Sequence, residues 1–443
     1  MKISFHGGVG EVTGACSLFQ TETTAVLVDC GMFQGSDANN DANFADFGFD
    51  PAAVRAVFVT HAHLDHIGRI PRLVQTGFRG SIISSAPTRD LARLILEDAL
   101  SLARREGREF FGERDMEKTF SLWETAPYHE RREIGDIAYQ LDRSGHILGS
   151  CFVRLWAGGK QMLFTGDLGN VPSTLLPPPD PVSGPDYVII ESTYGDRTHE
   201  QGIGRELKLE RAVEDTASRG GALLIPAFAT ERTQDILYLF NEMLYFKRIP
   251  DMPVFVDSPL ATRITEVYEQ YGDEYREEIR ALMAHHPDLF RFKRLRFTES
   301  VDDSKRINDV PPPKIIIAGS GMMTGGRILH HARRYLPDPN NMLLIIGYQS
   351  PGSLGRRLLD RVPSVRIFGE EIAVRAEIRS IDGFSAHADE PQLFSLLEYT
   401  RDTLQRVFVV HGEPTAAEHL AQEIRDRLGV AADVPVQGQI FEI

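Results

Sequence analysis

One six-residue stretch carries most of the chemistry in this sequence, and it reads His61-Ala62-His63-Leu64-Asp65-His66. Neutral imidazoles and a carboxylate are ligands that suit Zn²⁺ and similar ions, and four of them so close together can serve two metal ions as well as one. The apolar run Ala56-Val57-Phe58-Val59 precedes the first histidine and predicts a buried strand that ends there. We therefore predict a metal site in place of a polar surface cluster.

Further polar residues stand at the ends of other apolar runs. Because strand ends that meet on one edge of a sheet are where sites assemble, we expect these side chains to gather near the histidine-rich stretch. The strand-end residues are Asp29, His146, Asp167, Glu191 and His411.

The secondary-structure elements that must position these residues follow two different patterns along the chain. Short strands separated by turns fill the first part, whereas strands and helices alternate between residues 222 and 346. The alternation is typical of a parallel sheet covered by helices on both faces. Short strands return near Ile367. We therefore predict a first domain that is split into residues 1–200 and 367–443, with a domain of residues 201–366 inserted into it.

Local patterns in the first part predict individual elements. Thr88 to Arg105 has the spacing of an amphipathic helix, and residues 32–54 resemble a loop rich in Asn, Asp, Gly and Phe. The predicted core face of that helix consists of Leu91, Leu94, Ile95 and Leu102.

Composition places the protein in a broad class. The 443 residues are 42% hydrophobic, which is ample for sizeable cores. The net charge of −15 argues against a general polyanion-binding surface, although a local basic groove remains compatible with it. Three cysteines are too few for a disulfide framework, and the sequence has neither an apolar signal segment nor an apolar run long enough for a membrane span. We therefore expect a cytoplasmic protein with no membrane partner.

Together these residues resemble the metallo-β-lactamase fold carrying a β-CASP insertion, a family of metal-dependent nucleases. The resemblance covers almost the whole chain and is closest in kind to the short bacterial and archaeal RNA endonucleases related to the catalytic subunit of the cleavage and polyadenylation complex. It implies an α/β fold, in which a metallo-β-lactamase αββα sandwich holds an inserted domain with a parallel sheet flanked by helices. The further motifs that carry the resemblance are Ser385-Ala386-His387, Pro226-Ala227-Phe228-Ala229 with Arg232-Thr233-Gln234, Asp257-Ser258-Pro259, and Gly319-Ser320-Gly321-Met322 with Gly325-Gly326-Arg327.

The resemblance implies two Zn²⁺ ions per chain, with Mn²⁺ as an alternative metal. Two metals about 3.5 to 4 Å apart can share a hydroxide at neutral pH and clamp the oxygens of a phosphodiester. Asp29 is expected to orient a ligand histidine, and Asp65 is expected to act in catalysis as well as in metal binding. The implied ligands are His61, His63 and His146 at one metal, Asp65, His66 and His411 at the other, and Asp167 as the bridge between them.

His387 is the expected general acid, because the leaving 3′ oxygen needs a proton and histidine titrates near the working pH. Glu191 would orient that imidazole and keep it protonated. Hydroxyl, guanidinium and backbone N–H groups are expected to bind the substrate phosphates. The glycine-rich segment that contains Gly321 is equally well explained as a tight turn between a strand and a helix. Arg232 and Arg327 are equally well explained as solvated surface residues. The candidate phosphate contacts are Ser385, Arg232, Gly321 and Arg327.

The combined reading is a zinc-dependent endoribonuclease that hydrolyses single-stranded RNA in the cleft between its two domains. RNA is favoured over DNA because His411 occupies the last motif, where the DNA-repair members tend to have a smaller apolar residue. A 5′-to-3′ exoribonuclease is the nearest alternative, followed by a DNA nuclease of the same family. A small-molecule hydrolase would not need an insertion of about 160 residues over its site, and a non-catalytic scaffold would have lost ligands. Because homodimers are common among such relatives, a second copy of the chain is a candidate partner.

Overall fold

A computed structural model describes residues 1–35, 37–199, 203–349 and 352–443. They form two units, one made of Met1–Thr198 with His387–Ile443 and the other of His199–Ala386. The chain leaves the second unit at Ala386, whereas the sequence places that limit at residue 366. The predicted domain limits stay predictions.

Two seven-stranded sheets enclose the main core of the first unit. Phe5 and Phe58 from one sheet share this core with Phe164 and Phe408 from the other. Strands that alternate buried and partly exposed residues, such as Ile137–Arg143, have one face in the core. In spatial order the first sheet contains Ile440–Glu442, Lys2–Gly7, Cys16–Gln20, Ala25–Val28, Val54–Phe58, Ser81–Ser84 and Trp123–Thr125. The second contains Ala431–Asp433, Arg406–Val410, Tyr187–Glu191, Lys160–Phe164, Cys151–Ala157, Ile137–Arg143 and Arg132–Ile134.

Helices cover the sheets of this unit. Leu393 and Leu420, from two helices near the C-terminus, pack with Val188 and Val407 of the second sheet in a second core. None of the described helices is long and apolar enough to span a membrane. The helices of the first unit are Asp37–Ala42, Leu64–Ile67, Ile70–Gln75, Ala86–Glu106, Glu113–Ser121, Glu390–Thr400 and Pro414–Leu428, with a 3-10 turn at Pro51–Ala53.

The long helix Ala86–Glu106 agrees with the predicted amphipathic segment in extent but not in every core position. Its start is capped by the Ser85 hydroxyl, which accepts the N–H of Thr88. Leu91 and Ile95 are buried as expected, whereas Leu102 is 48% exposed, so its predicted place in the core is wrong. Towards the end of the helix the buried positions include Leu96 and Leu100. A prediction that assumes one fixed apolar face along the helix does not include them.

A six-residue helix, Asp37–Ala42, occurs where the sequence predicts only loop. The next residue, Asn43, is buried and binds the backbone of Phe33, which precedes the helix. Its side-chain oxygen accepts the N–H of Phe33 at 2.9 Å and its amide donates to the Phe33 carbonyl at 2.8 Å. This anchor is a tertiary contact, and local composition does not reveal it.

The second unit is built on a six-stranded sheet in which every neighbouring pair is parallel. The predicted alternation of strands and helices is confirmed. In spatial order the sheet contains Leu295–Phe297, Val254–Asp257, Lys314–Ala318, Ala222–Pro226, Met342–Ile345 and Glu377–Ser380, and a separate hairpin pairs Ser364–Ile367 with Glu370–Ala373. The helices are Ile203–Ser218, Arg232–Tyr245, Pro259–Gln270, Glu277–Met283, Val301–Arg306, Ile328–Tyr335 and Leu354–Leu359, with 3-10 turns at Gly272–Glu274, Ile307–Asp309 and Asp382–Phe384.

Candidate metal centre

The histidine-rich stretch turns from a strand into a helix. The buried strand Val54–Phe58 leads to His61, and His63 caps a short helix, Leu64–Ile67. The turn lets the four polar side chains of these six residues reach two groups of candidate ligands, with His61 and His63 in one and Asp65 and His66 in the other. The local sequence therefore assembles part of the site by itself.

Three imidazoles converge at the first group of candidate ligands. Nε2 of His61 lies 3.1 Å from Nδ1 of His63, and Nε2 of His146 lies 3.3 Å from the same atom. Asp167 completes the group, because its Oδ2 lies 3.3 Å from Nε2 of His61 and 3.4 Å from Nε2 of His146. Tetrahedral ligands about 2.0–2.1 Å from a zinc ion lie roughly 3.3 Å from each other. The residues therefore fit a metal ion.

The second group gathers around the other oxygen of the same carboxylate. Oδ1 of Asp167 lies 3.3 Å from Nε2 of His66 and 3.6 Å from Nε2 of His411. Nε2 of His411 lies 3.6 Å from Oδ2 of Asp65. Within the described part of the chain, Nε2 of His66 and Oδ1 of Asp167 are buried without a hydrogen-bond partner. A cation would satisfy both atoms, whose burial is otherwise costly.

Burial sets the charge of the first three imidazoles. It lowers the pKa of His61 and of His146 well below the ordinary value, and it lowers the pKa of His63 to about 4. These rings are neutral near pH 7 and can offer a lone pair to a cation. Burial by itself would raise the pKa of Asp167, but the surrounding histidines outweigh it and hold that pKa well below its usual range.

Asp167 reaches its place through a turn that requires glycine. Gly166 has φ of 51°, and a Cβ at this position would lie 2.5 Å from Cβ of Thr60. Any other residue at this position would displace Thr60, which directly precedes the ligand His61.

The loop that carries His146 is held by a hydroxyl group. Ser150 Oγ accepts the N–H of His146 at 2.9 Å.

Asp29 lies behind the ligand histidines. Its Oδ2 accepts from Nδ1 of His66 at 2.7 Å and from the Thr60 hydroxyl at 2.8 Å, while its Oδ1 accepts the Thr60 N–H at 2.8 Å. The Thr60 hydroxyl also lies 3.1 Å from Nδ1 of His61. Thr60 is not among the residues predicted from the sequence, where its only signal is its position directly before His61.

Two non-glycine residues of the site have left-handed backbones, with φ of 61° at Asp29 and 49° at His411. The N–H of His411 donates to the carbonyl of Gly8 at 2.6 Å. Such conformations cost about 1–3 kcal/mol each and persist where surrounding contacts enforce them, commonly at functional sites.

His387 and Glu191 form a pair beside Asp167. Nδ1 of His387 lies 3.0 Å from Oε2 of Glu191 and 3.8 Å from Oδ2 of Asp167. Burial alone would lower the pKa of His387, but the two carboxylates outweigh it and raise that pKa to about 9. Glu191 therefore engages Nδ1, one of the two ring nitrogens of His387.

The four candidate phosphate contacts all lie in the second unit. Arg232 is buried and donates to Asp235 at 2.6 Å. Arg327 donates to Asp257 at 2.7 Å and to the carbonyls of residues 298 and 299. Ser385 is buried, and the carbonyl of Gly321 accepts from the Gln349 amide at 2.9 Å. Both arginines therefore have structural partners, and phosphate binding by these four residues stays a prediction.

A further group of possible ligands, His129, Asp142 and Asp180, lies in the first unit. Arg154 lies 3.2 Å from Asp142, and the N–H of Arg143 donates to Asp180 at 2.7 Å. Because these donors already use the carboxylates, we interpret the group as an ion-pair network.

Three family models match the chain. They are the metallo-beta-lactamase superfamily over residues 9–206, the Beta-Casp domain over residues 233–358, and the Zn-dependent metallo-hydrolase RNA specificity domain over residues 371–435. A solved structure of a protein of unknown function from Enterococcus faecalis V583 has a similar fold, with a TM-score of 0.56 and 12% identity over 99% of each chain.

Curated relatives are similar along nearly all of the sequence. Ribonuclease TTHA0252 of Thermus thermophilus is 40% identical over 93% of each chain. An RNase J-like protein of Methanocaldococcus jannaschii is 32% identical over 100% of this chain and 99% of its own. Transcription termination factor FttA of Methanosarcina mazei is 31% identical over 97% of this chain and 70% of its own. The resemblance and the α/β fold class are confirmed, and the chain belongs to the β-CASP ribonucleases of the metallo-β-lactamase superfamily.

Proposed function

We propose that this protein is a zinc-dependent endoribonuclease that hydrolyses single-stranded RNA. The arrangement of Asp167 carries the proposal, because one of its oxygens faces His61 and His146 and the other faces His66 and His411. This division supports a site in which Asp167 would serve as a ligand to two cations. The proposed ligands are His61, His63, Asp65, His66, His146, Asp167 and His411.

Two such cations, when bound, supply a hydroxide nucleophile at neutral pH and neutralise charge on the phosphodiester. The protein supplies the orientation of their ligands. Asp29 accepts from Nδ1 of His66 and is itself held by the N–H and hydroxyl of Thr60. This kind of support typically improves metal affinity by about 10- to 100-fold. Asp65 is the proposed acceptor for the proton of the attacking water.

His387 is the proposed general acid. As the new bond forms between the water oxygen and phosphorus, the bond between phosphorus and the 3′ oxygen breaks, and Nε2 of His387 gives its proton to that oxygen. The products are a 5′ phosphate and a 3′ hydroxyl. Glu191 is the proposed positioning residue, since its carboxylate holds the opposite ring nitrogen at 3.0 Å.

RNA as the substrate is supported by the relatives and by the match to an RNA specificity domain at residues 371–435. Hydrolysis at the metals does not use the 2′-hydroxyl, so the reaction chemistry alone does not distinguish RNA from DNA. The substrate and the mode of cutting are therefore the points to test.

A circular single-stranded RNA tests both, because it has no ends. We expect the zinc-loaded protein to linearise the circle, the His387→Ala variant to fail, and a control variant, His285→Ala, at an exposed histidine of the second unit, to cut normally. Intact circles beside degraded linear RNA would indicate an end-dependent exonuclease instead. Preferential cutting of a DNA circle of the same sequence would indicate a DNA nuclease.

A further inference from the structure

Phe228 is a large aromatic residue that remains 38% exposed at the carboxyl edge of the inserted sheet. It follows the strand Ala222–Pro226, which runs parallel to Lys314–Ala318 on one side and to Met342–Ile345 on the other. The loops after all three strands therefore share one edge. In parallel α/β sheets, ligands bind outside the carboxyl ends of the strands.

The ring of Phe228 rests on glycines from the two neighbouring loops. A Cβ at Gly321 would lie 2.6 Å from Cδ2 of Phe228, and a Cβ at Gly347 would lie 3.7 Å from Cε2. Residue 321 must be glycine for the ring to occupy this position, because real side chains do not approach so closely. One side of the ring is thus supported by backbone while the rest of it stays accessible.

The backbone around the ring is held in place. The Phe228 carbonyl accepts the Thr233 hydroxyl at 2.8 Å, and the N–H of Ala227 donates to the carbonyl of Ala318 at 3.1 Å. On the other side, the buried Gln349 amide donates to the carbonyls of Gly321 at 2.9 Å and Gly347 at 3.2 Å. The exposed ring is therefore already held in place before a ligand binds. Little of the binding free energy would be spent on ordering it.

The chemistry of this edge suits an uncharged planar group. Residues 226–230, 319–325 and 345–349 include no Asp, Glu, Lys or Arg. The flanking arginines, Arg232 and Arg327, are each paired with an aspartate. A phosphate or a charged peptide would find no opposite charge in these segments, whereas a nucleobase offers a π-face to an aromatic ring. Base–aromatic stacking contributes about 1–3 kcal/mol per base and tolerates every base.

We propose that Phe228 is a stacking platform for an unpaired base of single-stranded RNA. The inference rests on the proposed function, since it names a position at which the same substrate is held. Because stacking accepts any base, Phe228 would contribute affinity for unpaired RNA without sequence preference, and it would discriminate against duplex RNA, whose bases are already stacked.

Binding by the zinc-loaded full-length chain tests the proposal. The probes are a short single-stranded RNA with hydrolysis-resistant phosphorothioate linkages and the same oligomer with every base removed. We expect Phe228→Ala to weaken binding of the RNA by about 5- to 150-fold and to leave binding of the abasic oligomer unchanged. Phe228→Tyr should retain affinity, as should Phe246→Ala at an aromatic of the same unit that is 61% exposed.

A second variant gives a readout that does not depend on affinity. In Phe228→Trp the added indole should be quenched by the RNA and not by the abasic oligomer, whereas a purely structural ring would respond to neither. Equal RNA affinity of wild type and Phe228→Ala, or an indole that RNA does not quench, would overturn the proposal.

The failure of the proposed function would look different. Phe228-dependent RNA binding without any cutting of unmodified RNA would overturn the endoribonuclease assignment and retain the stacking platform. Normal cutting with an unchanged KM in Phe228→Ala would support the endoribonuclease assignment and contradict the proposed stacking platform.

Discussion

Nδ1 of His387 lies 3.0 Å from Oε2 of Glu191, whose side chain is completely buried. The other oxygen of the carboxylate accepts the N–H of Leu168 at 2.6 Å. This second hydrogen bond fixes the plane of the carboxylate, and the carboxylate in turn fixes the imidazole. Glu191 is therefore placed to orient the imidazole of His387.

Replacing Glu191 with glutamine should slow RNA cleavage without removing metal. General acid catalysis contributes about 10²- to 10⁴-fold, so we expect a loss of kcat within that range and smaller than the loss in His387→Ala. Steady-state cleavage rates and metal content by mass spectrometry measure the two effects. Equal loss of metal and of rate would mean that Glu191 supports the ligands instead.

Replacing Asp29 with asparagine should weaken one metal site. The amide retains an oxygen for the N–H of Thr60, but it no longer provides a carboxylate at 2.7 Å from Nδ1 of His66. We expect metal affinity at that site to fall by about 10- to 100-fold. Competition with a chelator measures it, and Asp180→Asn is the control because its cluster is interpreted as an ion-pair network. A larger effect in the control would mean that this cluster binds metal.

Replacing Gly166 with alanine should destabilise the metal-free protein and lower its metal occupancy. The new Cβ would lie 2.5 Å from Cβ of Thr60, whereas Gly159→Ala meets nothing within 4 Å at a similar positive φ. The control therefore carries the backbone strain alone, and we expect Gly166→Ala to cost about 1–3 kcal/mol more. Urea unfolding with and without zinc measures both effects, and equal stabilities would contradict the steric argument.

Asp257 should stabilise the second unit in a pH-dependent way. Burial by itself raises the pKa of Asp257, but hydrogen bonds from His331, Arg327 and two hydroxyls outweigh it and hold the pKa well below its ordinary value. A lowered folded-state pKa gives stabilisation that is complete above the unfolded-state pKa of about 3.9 and is lost as the pH falls through the folded-state pKa.

We therefore expect Asp257→Asn to lower the free energy of unfolding by about 2–3 kcal/mol at pH 7. The difference from wild type should shrink as the pH falls below about 4, because the carboxyl of the unfolded wild type then becomes protonated while that of the folded protein stays ionised. Urea unfolding at pH 7 and at a pH below 4, with a chelator present in both cases, measures the difference in the free energy of unfolding. The exposed Asp251→Asn variant is the control, and a constant difference at both pH values would contradict the prediction.

The sequence by itself determined the chemistry of the site and the class of the fold. Three histidines and an aspartate in six residues, placed directly after an apolar strand, indicate a metal site because strand and turn are local structures. The alternation of apolar runs and amphipathic segments between residues 222 and 346 likewise indicates a parallel sheet. The remaining candidate ligands were found as strand-end residues and through the family resemblance.

Only the tertiary structure decided how these residues divide and which of them are already engaged. The separate orientation of the two oxygens of Asp167 depends on the meeting of four strand ends, those that precede His61, His146, Asp167 and His411. No local pattern in the sequence contains this arrangement. Arg327, predicted to contact phosphate, pairs with Asp257 seventy positions away in the chain. The exposure of Leu102 and of Phe228 depends in the same way on what packs beside them. Such contacts join residues that are far apart in sequence, so they follow from sheet order and register and cannot be predicted from the spacing of residues along the chain.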